Sequence, residues 1–202
     1  MKNIIVACCG ASGSVYAVRL LYILVSYPVR VHFMVSDAGA RVMAHEMPGF
    51  LDNIAGFLKG EGAVFHPEAS IRIYPSEDYG AGPASGSFAH DGMVIIPCSM
   101  NTLASIANGI TANLIQRAAD VTLKERRTLL LCTRETPLSL IHIENMARAA
   151  RAGAVIMPLC PGFYFRPKSM DDLVRAMAER VAKHLCISSA DFLAWGEEPD
   201  DG

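Results

Sequence analysis

The stretch NLIQRAADVTLKERRTLLLCTRETPLSLIHIEN, residues 113–145, decides the fold of this chain. Its middle, Thr128–Thr133, is a short apolar run of the kind that a parallel strand covered on both faces shows. The run ends abruptly in Arg134 and Glu135, and an amphipathic helix is predicted over Ser139–Ala152. A strand that delivers charge to a sheet edge and then enters a helix is typical of an open α/β fold.

The residues that follow this strand raise the first question of function. Thr136 is predicted to cap the next helix and Pro137 to occupy its first position. Arg134 and Glu135 would then lie where a helix N-terminus meets the carboxyl end of a strand, a place that favours an anionic ligand. An ordinary helix start with a surface ion pair is the other interpretation, and this segment alone does not decide between them.

The rest of the chain continues the alternation of strands and helices. Buried strands are predicted at residues 4–9, 29–35, 92–97 and 154–157, short strands near 63–66 and 71–73, and a final helix at 171–185. This alternation implies right-handed crossovers and a mainly parallel sheet. With 202 residues and 51% apolar content, we predict one domain, residues 1–202, with a Rossmann-like (flavodoxin-like) three-layer α/β sandwich.

Composition excludes several classes of function. A net charge of −2 and a pI near 6.3 give no basic footprint for nucleic acid. No apolar stretch approaches the roughly 20 residues of a membrane span, so a cytoplasmic protein is expected. The six cysteines show no CxxC spacing and the six histidines no metal-ligand spacing, which predicts reduced core thiols and no metal site.

A glycine-rich turn follows the first predicted strand. Gly10-Ala11-Ser12-Gly13-Ser14 would let the backbone approach a phosphate, with the N–H groups of the next helix and the Ser12 hydroxyl as donors. The spacing is GxxG rather than the GxGxxG of dinucleotide-binding folds. A turn that merely connects strand to helix therefore remains an alternative.

Polar side chains also follow most of the other predicted strands. Ser36 is either a ligand contact or only the N-cap of its helix, and the loop at residues 75–87 is either a lid or a plain connection. The residues with hydroxyl, charged or phenol groups just after strands are Ser12, Ser36, Ser99, Thr102, Arg134, Glu135 and Tyr164. Since the carboxyl ends of parallel strands share one edge, a phosphorylated ligand is predicted there.

Several longer strings resemble one family. PCSMNT at residues 97–102, with ANG at 107–109 and NL at 113–114, resembles the signature helix of the FMN-binding flavoprotein superfamily. The strings that resemble its UbiX-type flavin prenyltransferases are GASGSVYAVRLL (10–21), PASGSF (83–88), RAADVTLKERRTLLLCTRETPL (117–138) and PGFYFRP (161–167). The match covers nearly the whole chain apart from about residues 48–82.

The resemblance implies an enzyme that joins a dimethylallyl group from dimethylallyl phosphate to reduced FMN, at N5 and then C6. The product, prenylated FMN, is used by UbiD-type decarboxylases, so the enzyme itself is not a decarboxylase. The family is oligomeric, which implies a homo-oligomer, with a dodecamer as one possibility. Lysine and arginine can supply the charge that a leaving phosphate needs without a metal, and aromatic faces can stabilise an allylic cation.

The resemblance also implies roles for individual residues. Those that match FMN-binding positions are Gly10, Ala11, Ser12, Ser36, Ser99, Met100, Asn101, Thr102 and Arg134. Those that match the prenyl-donor site are Lys124, Tyr164 and Arg180, with Arg134 and the C-terminal Trp195. The catalytic set comprises Ser12 and Glu135, which match proton-moving groups, together with Lys124, Glu46 and Arg117.

Two features of the chain depart from the resemblance or complicate it. Asn101 and Asp37 stand where many relatives have lysine, so the charge near the flavin is less positive here. A helix returning across a parallel sheet would leave Lys124 on the edge opposite Arg134. Either the return is broken near Gly109, or Lys124 serves a neighbouring subunit's site, and we favour the second interpretation.

Two other functions compete with prenyl transfer. The PCSMNT segment by itself also fits FMN-dependent cysteine-derivative decarboxylases, although the KERR, RETP and FYFRP strings resemble the prenyltransferases instead. A non-catalytic FMN-binding subunit of a decarboxylase complex is the second alternative. The presence of Lys124, Glu135, Tyr164 and Arg180 argues against it.

Overall fold

The computed structural model describes residues 1–187, which form one six-stranded sheet and seven α-helices. The strands are β1 (Lys2–Cys8), β2 (Val29–Val35), β3 (Ser70–Tyr74), β4 (Gly92–Cys98), β5 (Leu129–Thr133) and β6 (Val155–Ile156). The helices are α1 (Ser14–Leu24), α2 (Asp37–Glu46), α3 (Ile54–Gly60), α4 (Met100–Ala107), α5 (Leu114–Lys124), α6 (Leu140–Arg151) and α7 (Met170–His184). None of these helices is long and apolar enough to cross a membrane.

The strands lie in the order β3-β2-β1-β4-β5-β6, and every neighbouring pair is parallel. This is the doubly wound, Rossmann-like order, whose direction of winding reverses between β1 and β4. Ligands of open α/β sheets bind outside the strand ends at this switch point. The loops that follow β1 and β4 are therefore the first place to look for a site.

Two apolar cores cover the two faces of the sheet, because successive strand residues point to opposite sides. One face packs against α1, α3 and α7, and the other against α4, α5 and α6. In β1, for example, Ile4 and Val6 belong to the first core and Ile5 and Ala7 to the second. The predicted three-layer α/β sandwich is confirmed.

Two local predictions were wrong. Residues 63–66 form no strand, and the segment before them contains α3, whose N-cap Asn53 accepts a hydrogen bond from Gly56 N. Helix α6 begins at Leu140, and its N-cap is Ser139 rather than Thr136. Ser139 forms a reciprocal capping box with His142, which satisfies two N–H groups at once and so outcompetes the earlier threonine.

The connection from β4 to β5 decides where Lys124 lies. Helix α4 ends at Ala107, but the chain returns to the carboxyl edge of the sheet, where Leu114 N donates to Ser76 O just after β3. Helix α5 then runs back across the sheet, so Lys124 lies at the amino edge, five residues before Leu129 at the start of β5. A break near Gly109 therefore does not bring Lys124 to the edge of Arg134.

Candidate functional site at the switch point

The β1–α1 turn is packed tightly against the start of α2. A Cβ atom on Gly10 would lie 2.6 Å from the Cβ of Ala38, and one on Gly39 would lie 2.8 Å from Cys8 O. Gly13 has φ +115°, a conformation that favours glycine. Glycine at these positions lets the turn and the N-terminus of α2 meet, which forms one wall of the site.

The N-terminus of α1 is occupied by Glu46. Its carboxylate accepts hydrogen bonds from Gly13 N (3.0 Å) and Ser14 N (2.8 Å), and it replaces a side-chain cap that α1 otherwise lacks. The prediction that these N–H groups are available to bind a phosphate was therefore wrong. Burial acts to raise the pKa of Glu46, but hydrogen bonds from Ser12, Ser14 and Gly13 outweigh it and lower the pKa.

Ser36 and Ser99 are both helix N-caps. Ser36 Oγ accepts from Gly39 N (3.1 Å) and Ser99 Oγ from Thr102 N (3.3 Å). The first turn of a helix has more N–H groups than one cap satisfies, so those of Met100 and Asn101 remain available to an anion. Met100 and Thr102 are buried and Asn101 is exposed.

Arg134 connects three strand ends. Its backbone N donates to Cys98 O (3.3 Å), and its side-chain Nε donates to Ser12 O (3.1 Å). Among residues 1–187 the two terminal nitrogens of its guanidinium have no hydrogen-bond partner. Glu135 is exposed at the same edge, and its carboxylate accepts from Thr136 N (3.0 Å). Arg134 thus presents free donors beside the N-terminus of α4.

A cleft of about 800 Å³ lies beside this edge, between the β6 strand and its following loop on one side and α7 on the other. Its lining includes Tyr164 and Arg180, two of the residues matched to the prenyl donor. The loop connects the cleft to the switch point, since Leu159 N donates to Thr133 O (2.9 Å) and Leu159 would touch a Cβ on Gly13. Arg180 is exposed, and the described part of the chain offers it no hydrogen bond or ion pair.

Two other residues matched to the family, Arg117 and Lys124, make their contacts away from Arg134. Arg117 Nε donates to Ala84 O (3.1 Å) and its Nη1 to Asp120 (3.0 Å) on the outer surface of α5. Lys124 pairs with Glu125 at the opposite edge. Trp195 lies outside the described residues.

Sequence reasoning missed several features of this site. The backbone N–H groups of Gly13 and Ser14 donate to Glu46. The GxxG spacing could have indicated the positive φ of Gly13. Cys9 lies beside the N-cap of α4, where burial raises the pKa of its thiol to about 11 although hydrogen bonds with Thr102 and Ser99 act to lower it. The thiol therefore stays protonated and is no nucleophile. The cleft also contains Arg166, to which the sequence assigned no role although it belongs to the same PGFYFRP string as Tyr164.

The arrangement fits a phosphorylated flavin. The N-terminus of α4 and the free guanidinium nitrogens of Arg134 supply donors and positive potential for a phosphate. The close approach of Gly10 to Ala38 keeps the turn free of side chains that would fill the site. In residues 1–187 no group of three or more histidine, cysteine, aspartate or glutamate side chains could hold a metal ion.

Comparisons with known proteins agree with this site. The family model described as Flavoprotein matches residues 1–182. Flavin prenyltransferase UbiX of Pseudomonas aeruginosa is 43% identical, over 98% of this chain and 95% of that protein. The crystal structure of AnUbiX (PadA1) in complex with FMN and dimethylallyl pyrophosphate has a TM-score of 0.87 at 36% identity, covering 98% of this chain and 99% of that one.

A second solved structure concerns assembly. The dodecameric FMN-dependent Ubix-like decarboxylase from Escherichia coli O157:H7 has a TM-score of 0.84 at 37% identity and covers 96% of this chain and 98% of that one. Because a family model and relatives at about this level of identity match nearly the full length, the chain belongs to the flavoprotein family, in its group of UbiX-type flavin prenyltransferases.

Proposed function

We infer that this protein is a flavin prenyltransferase that transfers a dimethylallyl group to reduced FMN. Its product, prenylated FMN, serves a UbiD-type decarboxylase. The observation that carries this inference is the junction of two anion-binding features: the α4 N-terminus with Arg134 at the switch point, and the cleft of Tyr164 and Arg180 beside it. One feature suits the phosphate of a flavin and the other the phosphate of a prenyl donor.

Reduced FMN supplies the nucleophilic ring atoms of this reaction. The residues proposed to hold it are Gly10, Ala11, Ser12, Ser36, Ser99, Met100, Asn101, Thr102 and Arg134. Two observations support this set: Arg134 binds the turn at Ser12 O, and Ser99 caps the helix that begins at Met100. Asn101 lacks the charge of a lysine, so Arg134 is the main source of positive charge at this phosphate.

The donor phosphate is proposed to bind Arg180 and Tyr164, with Arg134 nearby and Trp195 as an aromatic neighbour. Lys124 reaches this site from another subunit. The first and last of the five residues of β5 are four steps of about 3.3 Å apart, so the two sheet edges are about 13 Å apart, which is farther than one lysine side chain extends. The related E. coli dodecamer supports such an assembly.

Proton transfer is assigned to Glu135 and Ser12. Glu135 is exposed at the edge, where it can exchange protons with a ligand or with water. Glu46 binds the turn that carries Ser12 and orients its hydroxyl, since the Glu46 carboxylate accepts hydrogen bonds from Ser12, Gly13 and Ser14. Arg117 on α5 is proposed to complete, with Lys124, the active-site shell of a neighbouring subunit.

The setting of the reaction is proposed from the same features. All six cysteines are free thiols, which suits a reducing cytoplasm. The one sheet within residues 1–187 supports the proposal of one flavoprotein domain over residues 1–202.

The experiment is anaerobic incubation with reduced FMN and a dimethylallyl donor, followed by mass spectrometry of the extracted flavin. We expect a mass gain of one dimethylallyl group, and separate incubations with the monophosphate and the diphosphate identify the donor. Unmodified FMN with both donors, despite tight FMN binding, would support the non-catalytic binding subunit instead.

A further inference from the structure

The segment 84–88, which we call the clamp loop, lies along α5 and is held there by two arginines. Arg117 Nε donates to Ala84 O (3.1 Å) near the start of the helix. Arg127, just beyond the end of the helix, donates from Nη1 to Phe88 O (2.7 Å) and from Nη2 to Gly86 O (3.0 Å). The planar guanidinium of Arg127 thus binds two carbonyl groups of the loop at once.

The backbone at Arg127 is itself fixed by the end of α5. Arg126 adopts a left-handed conformation with φ 55°, and its N donates to Leu123 O (2.9 Å). Arg127 N donates to Thr122 O (2.9 Å) and closes the helix terminus. Because both hydrogen bonds join this turn to the helix, the backbone that carries the Arg127 side chain is fixed.

The clamp loop contacts Lys124 at Gly86. A Cβ atom on Gly86 would lie 2.7 Å from Lys124 Nζ and 2.5 Å from Glu125 Oε1. The Lys124 ammonium, paired with Glu125, therefore lies directly against the loop backbone. The position of the loop and the position of this ammonium are coupled.

We propose that Arg127 is a positioning residue for prenyl transfer. By binding Gly86 O and Phe88 O it holds the clamp loop against Lys124, and so sets where the ammonium is presented to the donor phosphate. This inference rests on the proposed function, in which Lys124 binds that phosphate. Arg127 acts through Lys124 and touches neither substrate.

The loop has a second anchor, so the fold does not depend on Arg127. The Phe88 ring packs edge-on against His32, with ring centroids 4.9 Å apart, on the second core. Loss of Arg127 should free the backbone between Ala84 and Phe88 while this anchor stays in place.

The test compares Arg127→Ala and Arg127→Lys with the wild type. Because lysine keeps the charge but lacks the planar pair of donors, both variants should lower kcat/KM for the prenyl donor by about 10- to 100-fold, the range of a displacement near 1 Å. The Kd for FMN should change less than about twofold, and hydrogen exchange in a peptide covering residues 84–90 should accelerate. Arg151→Ala is the matched control, since Arg151 is an exposed arginine in the same surface groove.

Gly86→Ala tests the same contact from the other side. The added methyl group should displace Lys124 and reproduce the donor defect, and combining it with Arg127→Ala should cost less than the sum of the two effects.

Three outcomes would overturn the proposal: wild-type kinetics in Arg127→Lys, unchanged exchange in the clamp loop, or a loss of FMN binding equal to the loss of donor turnover. Failure of the proposed function is recognised separately, because the wild type would then form no prenylated FMN.

Discussion

The affinity for FMN should depend strongly on Arg134. Its guanidinium has two terminal nitrogens without partners in the described chain, beside the N-terminus of α4. In Arg134→Ala a phosphate loses at least one charge-assisted hydrogen bond, worth about 1.5–3 kcal/mol. Since 1.4 kcal/mol is a factor of ten, the Kd for FMN should rise about 10- to 150-fold.

The assay is titration of FMN into the purified protein, followed by calorimetry or by quenching of flavin fluorescence. Arg134→Lys keeps the charge but loses the Nε bond to Ser12 O, so its Kd should lie between those of the wild type and the alanine variant. Arg151→Ala removes the same charge at the end of α6, at the other edge of the sheet, and should leave the Kd unchanged. A Kd for Arg134→Ala within twofold of the wild type, in a protein with unchanged circular dichroism, would refute the assignment.

Four further predictions follow from the site and the core. Arg180→Ala should weaken productive donor binding by about 1.5–3 kcal/mol while FMN binds normally; an equal loss of both would contradict the donor role. Glu135→Gln should bind both substrates yet slow product formation about 10²- to 10⁴-fold, and turnover at the wild-type rate would exclude it as a proton carrier. Subunits of Lys124→Ala and Arg134→Ala, each impaired alone at low FMN concentration, should regain activity when unfolded and reassembled together, whereas no recovery would place Lys124 in its own subunit's site. Burial, with the positive charges of Arg30, Arg72 and His90, lowers the pKa of His32 from 6.5 to about 4. As the pH falls, the His32 side chain is therefore protonated in the unfolded chain before it is protonated in the folded protein, and the free energy of unfolding should fall by about 2 kcal/mol between pH 7 and pH 4.5. Urea titrations in which His32→Gln shows the same fall would exclude His32 as the cause.

Several site residues were predictable because their chemistry is local. Ser36 and Ser99 cap the helices that follow their strands, and each needs only its own next three residues to do so. Arg134 follows an apolar run that is typical of a buried strand. Whether a serine cap also binds a ligand is a different matter, which local pattern leaves open.

Contacts between residues far apart in the sequence could not be predicted from local sequence patterns. Glu46 lies 33 residues from Gly13, and no periodicity indicates that its carboxylate occupies the α1 N-terminus. Thr136 satisfies the statistics of a helix cap, yet the capping box at Ser139 forms instead because it satisfies two backbone groups. In the sequence Arg127 is one of a run of cations, and only the folded structure shows the loop that it binds.

The sequence by itself determined the layers of this protein and predicted a phosphorylated ligand at its edge. Apolar runs bounded by glycine and hydroxyl residues specify parallel strands, and the carboxyl ends of such strands must share one edge whatever their order. Only the tertiary structure decided the strand order, which puts the turn at Gly10 beside Ser99 at the switch point. It also decided that the break near Gly109 leaves Lys124 at the edge opposite Arg134, the position that a returning helix predicts. The physical reason is that the pairing of strands and the direction of the connecting helices depend on how the helices cover both apolar faces of the sheet at once. No single segment of the sequence encodes this.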